Sequence, residues 1–245
     1  MDVITVEAKG PVSLITINRP EKLNAISSRV AIALQDAFIA FEQSAQRVAV
    51  LTGAGDRAFT AGADVTDLPE LWRCMPTVGF TSEKPIIAAT TGWCVGGGVV
   101  LVTMCDLMVA AESTQFYYPE GRLGLTAGMI SSLAARIPHK IAMEMMLLGE
   151  PMSARRAYEV GFVNRVVPDG THLEAALAMA EKLCDAAPLV VTTLKRLVTQ
   201  HVLTRGPVEI MAAVGRDLGR VRASEDMQEG LRAFREKRKP RFTGR

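Results

Sequence analysis

Apolar and β-branched residues fill Val3–Val6 and Val12–Ile17, with Lys9-Gly10-Pro11 between them, a pattern that predicts a hairpin. Arg19-Pro20 ends the second strand. Ser27 and Ser28 then offer an N-cap, after which Val30, Leu34, Ala37, Phe38 and Phe41 return on one face of a helix. Arg47 to Thr52 reads as a short buried strand closed by Gly53-Ala54-Gly55, and Pro85 to Thr91 as another closed by Gly92. Gly96-Gly97-Gly98 opens an apolar helix that reaches about Met104, and Cys105 to Ala110 returns to strand. Strands and helices in this order predict an α/β core with crossover connections.

From Ser153 the pattern changes. Ser153 caps a short helix ending at Gly161, Phe162 to Val167 is a last strand, and the rest is helical. Helices are expected near 173–186, 189–203, 208–221 and 225–237, punctuated by Pro188 and Gly206-Pro207. The chain thus divides into an α/β core over residues 1–188 and a helical region over 189–245.

Composition narrows the class. At 245 residues, 49% hydrophobic and 22% charged, the chain is long and apolar enough for a soluble globular enzyme. A net charge of +2 gives no electrostatic footprint of a nucleic-acid binder. The basic stretch Arg235 to Arg245 reads equally as a solvated tail or as a surface for an anionic partner. Cys74, Cys94, Cys105 and Cys184 show no CxxC spacing, which argues against a zinc site or a disulfide framework. No leader precedes the first strand, and the apolar run around Gly96 to Met104 is too short to span a bilayer, so a cytoplasmic location is expected.

Two loops carry the candidate chemistry. Residues 57–64, Arg-Ala-Phe-Thr-Ala-Gly-Ala-Asp, and residues 92–98, Gly-Trp-Cys-Val-Gly-Gly-Gly, each follow a buried strand and are rich in small residues. Glycine lets backbone N–H groups approach a ligand, and a helix beginning inside a glycine run adds unpaired donors. An anion, or an oxygen that becomes one, suits such a place. No GxxxxGK[ST] and no GxGxxG with a ribose-binding acid is present, so a nucleotide phosphate is not indicated. On composition alone, tight helix-on-sheet packing explains the glycines equally well.

A resemblance separates these readings. The runs Ile15 to Ala25, Val50 to Asp64, Lys84 to Asp106, Phe116 to Leu125 and Ala233 to Pro240 resemble, in order, the sequence blocks of the enoyl-CoA hydratase/isomerase (crotonase) superfamily. The resemblance implies a spiral of β-β-α turns with a helical C-terminal trimerisation region. It implies an oxyanion hole from the N–H groups of Ala63 and Gly97 for an acyl-CoA thioester. It implies contacts to coenzyme A from backbone around Lys22, Leu23 and Ala25, from Ala61 to Asp64, and from Phe234 and Lys237, often across a subunit boundary. Coenzyme A would come as part of the substrate, with no separate cofactor and no metal. A homotrimer or dimer of trimers is expected.

Two departures from the family pattern bear on the reaction. Hydratases of this family carry one glutamate two residues after the glycine triplet and another in a Pro-Glu pair. Here the first position is Val100 and the second is Glu120. A single carboxylate can still move a proton between two carbons of an enolate, as a Δ3,Δ2-enoyl-CoA isomerase does, so isomerisation is placed ahead of hydration. Trp93, Val100, Tyr117, Tyr118 and Met129 are candidate walls for an apolar pocket around Glu120. The stretch between Asp64 and Lys84 is shorter than usual, and Leu68, Leu71, Trp72, Met75 and Phe80 are left to cover the acyl site. His139, His172 and His201 lack a serine elbow or metal-ligand spacing, and Asp106 reads as structural. A thioester hydrolase or decarboxylase, or a non-catalytic acyl-CoA binder, are the alternatives.

Overall fold

The computed structural model describes residues 2–245. The opening hairpin pairs β1 (Ile4–Lys9) antiparallel to β2 (Val12–Ile17), with Gly10 taking the left-handed turn conformation. Helix α1 (Ser28–Gln43) begins where the Ser27 hydroxyl accepts the Val30 N–H, and it buries Val30, Leu34, Ala37, Phe38 and Phe41. Strands β3 (Val48–Gly53), β5 (Ile86–Thr90) and β7 (Leu107–Ala111) follow in parallel, β3 beside β2, β5 beside β3 and β7 beside β5, and β10 (Arg165–Val167) closes the sheet beside β7. The sheet order is β1-β2-β3-β5-β7-β10.

Burial on both faces explains the unbroken apolar strands. Val50, Ile87, Ala89 and Val109 face helix α6 (His172–Cys184) through Ala176, Met179 and Ala180. Ala49, Leu51, Ile86 and Ala88 face α1 and a second sheet. That second sheet consists of β4 (Ala58–Thr60), β6 (Trp93–Val95), β8 (Gln115–Tyr117) and β9 (Met152–Ser153), in that order. The expected order of elements omitted these strands, which are too short to show a period. Each turn of the chain gives one strand to the large sheet and the next to the small one: β3 then β4, β5 then β6, β7 then β8. This is the β-β-α spiral, and it sets the ends of β4 and β6 side by side.

Helix α2 (Gly97–Thr103) leaves β6, and α3 (Glu120–Leu123) leaves β8. A 3₁₀ stretch, Met129–Ala135, leads to α4 (His139–Leu148), and α5 (Ala154–Glu159) starts at the Ser153 cap. Helices α7 (Pro188–Leu197), α8 (Pro207–Ala223) and α9 (Glu225–Glu236) complete the chain. They leave Leu189, Leu194, Ile210, Met211, Val214, Leu218 and Phe234 in solvent. Among the described residues, no helix is long and apolar enough to cross a membrane.

Asp106 ties α7 to the core: one of its oxygens accepts from Ile86 N–H at 2.8 Å and from Lys195 Nζ at 2.7 Å. The cation also donates to Ser82 Oγ and Lys84 O, so this pair is fully hydrogen-bonded and structural.

Candidate active site

Two loops are fastened together before any site is formed. Leu23 and Asn24 adopt left-handed backbone (φ 49° and 56°). The Asn24 side chain accepts Arg19 N–H and donates to Ala54 O and Ala58 O. Thr60 Oγ1 donates to Asn24 O, and Ala61 N–H to Leu23 O. Arg19 donates to Ala25 O and pairs with Asp64 at 3.2 Å, and the Thr66 hydroxyl and N–H, with a smaller contribution from Arg19, hold the Asp64 carboxyl below its usual range. The Leu23–Ile26 segment therefore lies against Thr60 to Asp64. The Asp64 carboxylate itself is committed to Thr66 and Arg19.

The same pairing isolates one donor. Ala61 N–H goes to Leu23 O, Gly62 N–H to Thr60 Oγ1, and Asp64 N–H to Ile26 O, while Ile26 N–H goes to Gly62 O. Ala63 sits between the two bonds made by Ile26, so its own N–H points to the opposite side of the strand. Among the described residues it has no protein acceptor. Gly97 is the first residue of α2 and lines the same cavity as Ala63, and among the described residues its N–H has no protein acceptor, as is usual at helix N-termini. A methyl placed on Gly62 would come within 3.5 Å of Gly97 N, which fixes how closely the two loops approach.

Each glycine of the triplet makes room for something different. A Cβ on Gly96 (φ 53°) would sit 2.6 Å from Glu120 Oε1, one on Gly97 would sit 3.0 Å from Leu71, and one on Gly98 would sit 2.3 Å from the Thr60 methyl. The first of these brings the carboxylate against the loop.

Ala63, Gly97, Val100 and Glu120 line one cavity of about 180 Å³. Its other walls are Leu68, Pro69, Leu71, Met75, Tyr118, Leu125, Thr126, Ala127 and Met129. Glu120 is the one carboxylate among them, and its Oε2 is buried with no hydrogen-bond partner. Burial raises its pKa to about 7, against the smaller opposing pull of its own backbone N–H at the start of α3. Val100 is 4% exposed and presents only methyl groups.

Other expected walls are elsewhere. Trp93 and Tyr117 do not reach this cavity; they pair with each other across β6 and β8, with ring centroids 6.1 Å apart. Tyr118, the next residue, does line it, because consecutive residues of extended chain face opposite ways. Phe80 is spent on a stack with Phe38 at 4.7 Å, and Trp72 lines a neighbouring groove. Thr126, which the sequence did not single out, meets the Tyr118 hydroxyl at 3.0 Å. Phe234 is 84% exposed on α9 and, like Lys237, stands away from the cavity within a single chain. Among the described residues, no group of histidine, cysteine or acidic side chains is placed to hold a metal ion.

A family model described as enoyl-CoA hydratase/isomerase matches residues 7–245. The chain belongs to that family, the crotonase superfamily. Carnitinyl-CoA dehydratase of Salmonella typhi is 36% identical over 96% of either chain. Among solved structures, carnitinyl-CoA hydratase from Mycobacterium avium superposes with a TM-score of 0.79 at 38% identity, covering all of both chains. Enoyl-CoA hydratase from Mycobacterium tuberculosis H37Rv does so with a TM-score of 0.77 at 36% identity, again over the full length of both. This crotonase-superfamily chain therefore shares both sequence and architecture with acyl-CoA hydratases and dehydratases.

Proposed function

We propose that this enzyme binds an enoyl-CoA thioester, holds its enolate oxygen between the N–H groups of Ala63 and Gly97, and moves a proton with Glu120. The reading is supported by one cavity lined by Ala63, Gly97 and Glu120, with no protein acceptor for the Ala63 and Gly97 N–H groups among the described residues and with Val100 where a second carboxylate would be needed. Glu120 in its charged form takes a proton from C2 of a 3-enoyl thioester. The charge that develops moves to the thioester oxygen, where the two amide hydrogens stabilise it. The Glu120 acid then returns the same proton at C4, and a 2-enoyl thioester leaves. A pKa near 7 suits a group that must both accept and give up a proton.

Coenzyme A is part of the substrate. Backbone at Lys22, Leu23, Ala25, Ala61 and Asp64 frames its nucleotide end, and Phe234 and Lys237 reach it from a neighbouring copy in a homotrimer or dimer of trimers. A cytoplasmic location accords with this chemistry. The second reading is hydration or dehydration, favoured by the names of the relatives and by the Tyr118–Thr126 hydroxyl pair, which brings polar groups into the cavity that holds Glu120.

Purified protein given 3-hexenoyl-CoA and 2-hexenoyl-CoA distinguishes them. Isomerisation converts the first into the conjugated thioester with no change of mass, whereas hydration adds water to the second. Turnover that survives Glu120→Gln would refute Glu120 as the proton carrier.

A further inference from the structure

A second cavity, of about 470 Å³, lies at the other end of α2 from Gly97. It shares no wall residue with the cavity around Glu120. Gly97 and Val100 line the first, whereas Val102 and Thr103, the last residues of the same helix, line the second. Met104, Leu107, Met108 and Phe162 are among its apolar walls, and α7 adds Val191.

Most of its buried polar groups are already spent. Lys195 gives its three N–H groups to Asp106, Ser82 and Lys84 O. Thr103 donates to Val99 O, and Asn164 accepts the Met108 N–H. Glu209 and Arg136 differ. Glu209, on the first turn of α8, is 3% exposed, and its Oε1 is buried with no hydrogen-bond partner. Arg136 Nη1 stands 3.9 Å from that oxygen, beyond hydrogen-bond reach. Nη1 donates to Ser132 O instead, and Nη2 lies 3.3 Å from Met104 Sδ. A guanidinium carries five N–H groups, so Arg136 keeps donors beyond these. A buried carboxylate oxygen costs stability until a donor reaches it. One water would serve the oxygen, but at roughly 30 Å³ it fills little of the space. The cavity falls within the roughly 300–1,000 Å³ of small-molecule sites, where apolar walls hold the body of a ligand and a few polar groups orient it.

We infer that this cavity is a second ligand site, for a small uncharged amphiphile headed by an amide or a hydroxyl. Such a head donates to Glu209 Oε1 and accepts from Arg136, spanning the 3.9 Å between them. The apolar body lies along Met104, Met108 and Phe162. Charge selects the head. Glu209 and Arg136 offset each other, so a buried ammonium would face the guanidinium and a buried carboxylate would face Glu209. The inference is independent of the chemistry proposed at Glu120.

Hexanamide is the probe, hexanoate and hexylammonium are its charged counterparts, and the readout is the carbon-13 methyl spectrum of the methionines. Met104 and Met108 line this cavity, whereas Met75 and Met129 line the one around Glu120. Hexanamide is expected to shift Met104 and Met108 saturably, with a Kd on the order of 1 mM, and to leave Met75 and Met129 in place. Each charged probe is expected to bind at least about tenfold more weakly. Glu209→Gln, which keeps the shape and loses the charge, weakens hexanamide by about fivefold. The three wild-type titrations decide the matter even where that variant does not fold. Absence of a saturable shift at Met104 and Met108 leaves water alone on Glu209 and overturns the inference. Shifts confined to Met75 and Met129, or equal binding of the three probes, overturn it as well.

Discussion

Glu120 is held in surroundings that work against its own charge. Its pKa of about 7 lies above that of a free carboxyl, so the folded protein holds this proton more tightly than the unfolded chain does. Between pH 4.5 and about 7 the folded state binds more protons, and stability from this group therefore falls as pH rises. Glu120→Gln removes that penalty: its Tm relative to wild type is expected to be higher at pH 8 than at pH 5, while activity falls by about 10²-fold or more. For an isomerase using the charged form, kcat/KM climbs with pH through an inflection near 7, a profile measurable with 3-enoyl thioester. Gly96→Ala tests the carboxylate's seat. The added methyl meets Oε1 at 2.6 Å in a left-handed conformation, so loss of about 1–3 kcal/mol and a drop in kcat are expected from thermal melts and rate measurements. Glu120 and Val100 could be singled out in the sequence only through the family resemblance, which places its two carboxylates relative to the glycine triplet and the Pro-Glu pair. Trp93 and Tyr117 were misplaced because a residue count does not tell which face of a short strand a ring takes.

Among the elements, those with a local cause were readable. The Ser27 and Ser153 caps, the apolar stripe of α1 and the proline starts of α7 and α8 lie within a few residues of what they determine. Strands β4, β6 and β8 were not, since three residues show no alternation and their partners lie far away in the chain. The Asn24 clamp was hidden for the same reason: its acceptors, Ala54 and Ala58, are 30 and 34 residues away. Asn24 is fully buried in left-handed backbone, so Asn24→Ala strands Arg19 N–H and two carbonyls. A loss of about 2–3 kcal/mol is expected in denaturant melts, with KM for the thioester rising more than kcat falls, because the clamp holds the 22–26 and 60–64 loops together.

For the whole molecule, α7 to α9 hold the least-covered apolar surface. A trimer would bury it and bring Phe234 and Lys237 to a neighbour's thioester. Phe234→Ala is expected to raise KM for CoA substrates several-fold, and light scattering that gives the mass of one chain would exclude the arrangement. The basic tail, read as a solvated segment or as a surface for an anionic partner, is partly tied down. Arg238 pairs with Glu229 at 2.6 Å and 2.9 Å, and Asp226 accepts Thr243 and Gly244 N–H. Arg238 holds the Glu229 carboxyl down at about 2, so this latch is complete above pH 4.5 and is lost as pH falls toward 2. Protection of the Arg241 amide, taken relative to its intrinsic exchange rate at each pH, is expected to fall over that range, and to be low at neutral pH in Arg238→Ala.

The donors proposed at Ala63 and Gly97 belong to peptide groups. A change of side chain at either place can crowd the cavity, but short of proline it cannot take the hydrogen away. Residues 100 and 120 enjoy no such protection, since there the chemistry is the side chain. On the proposed mechanism, a protein built this way would keep its grip on a growing negative charge through most side-chain changes, while the fate of the gripped intermediate would be rewritten by single substitutions at its side.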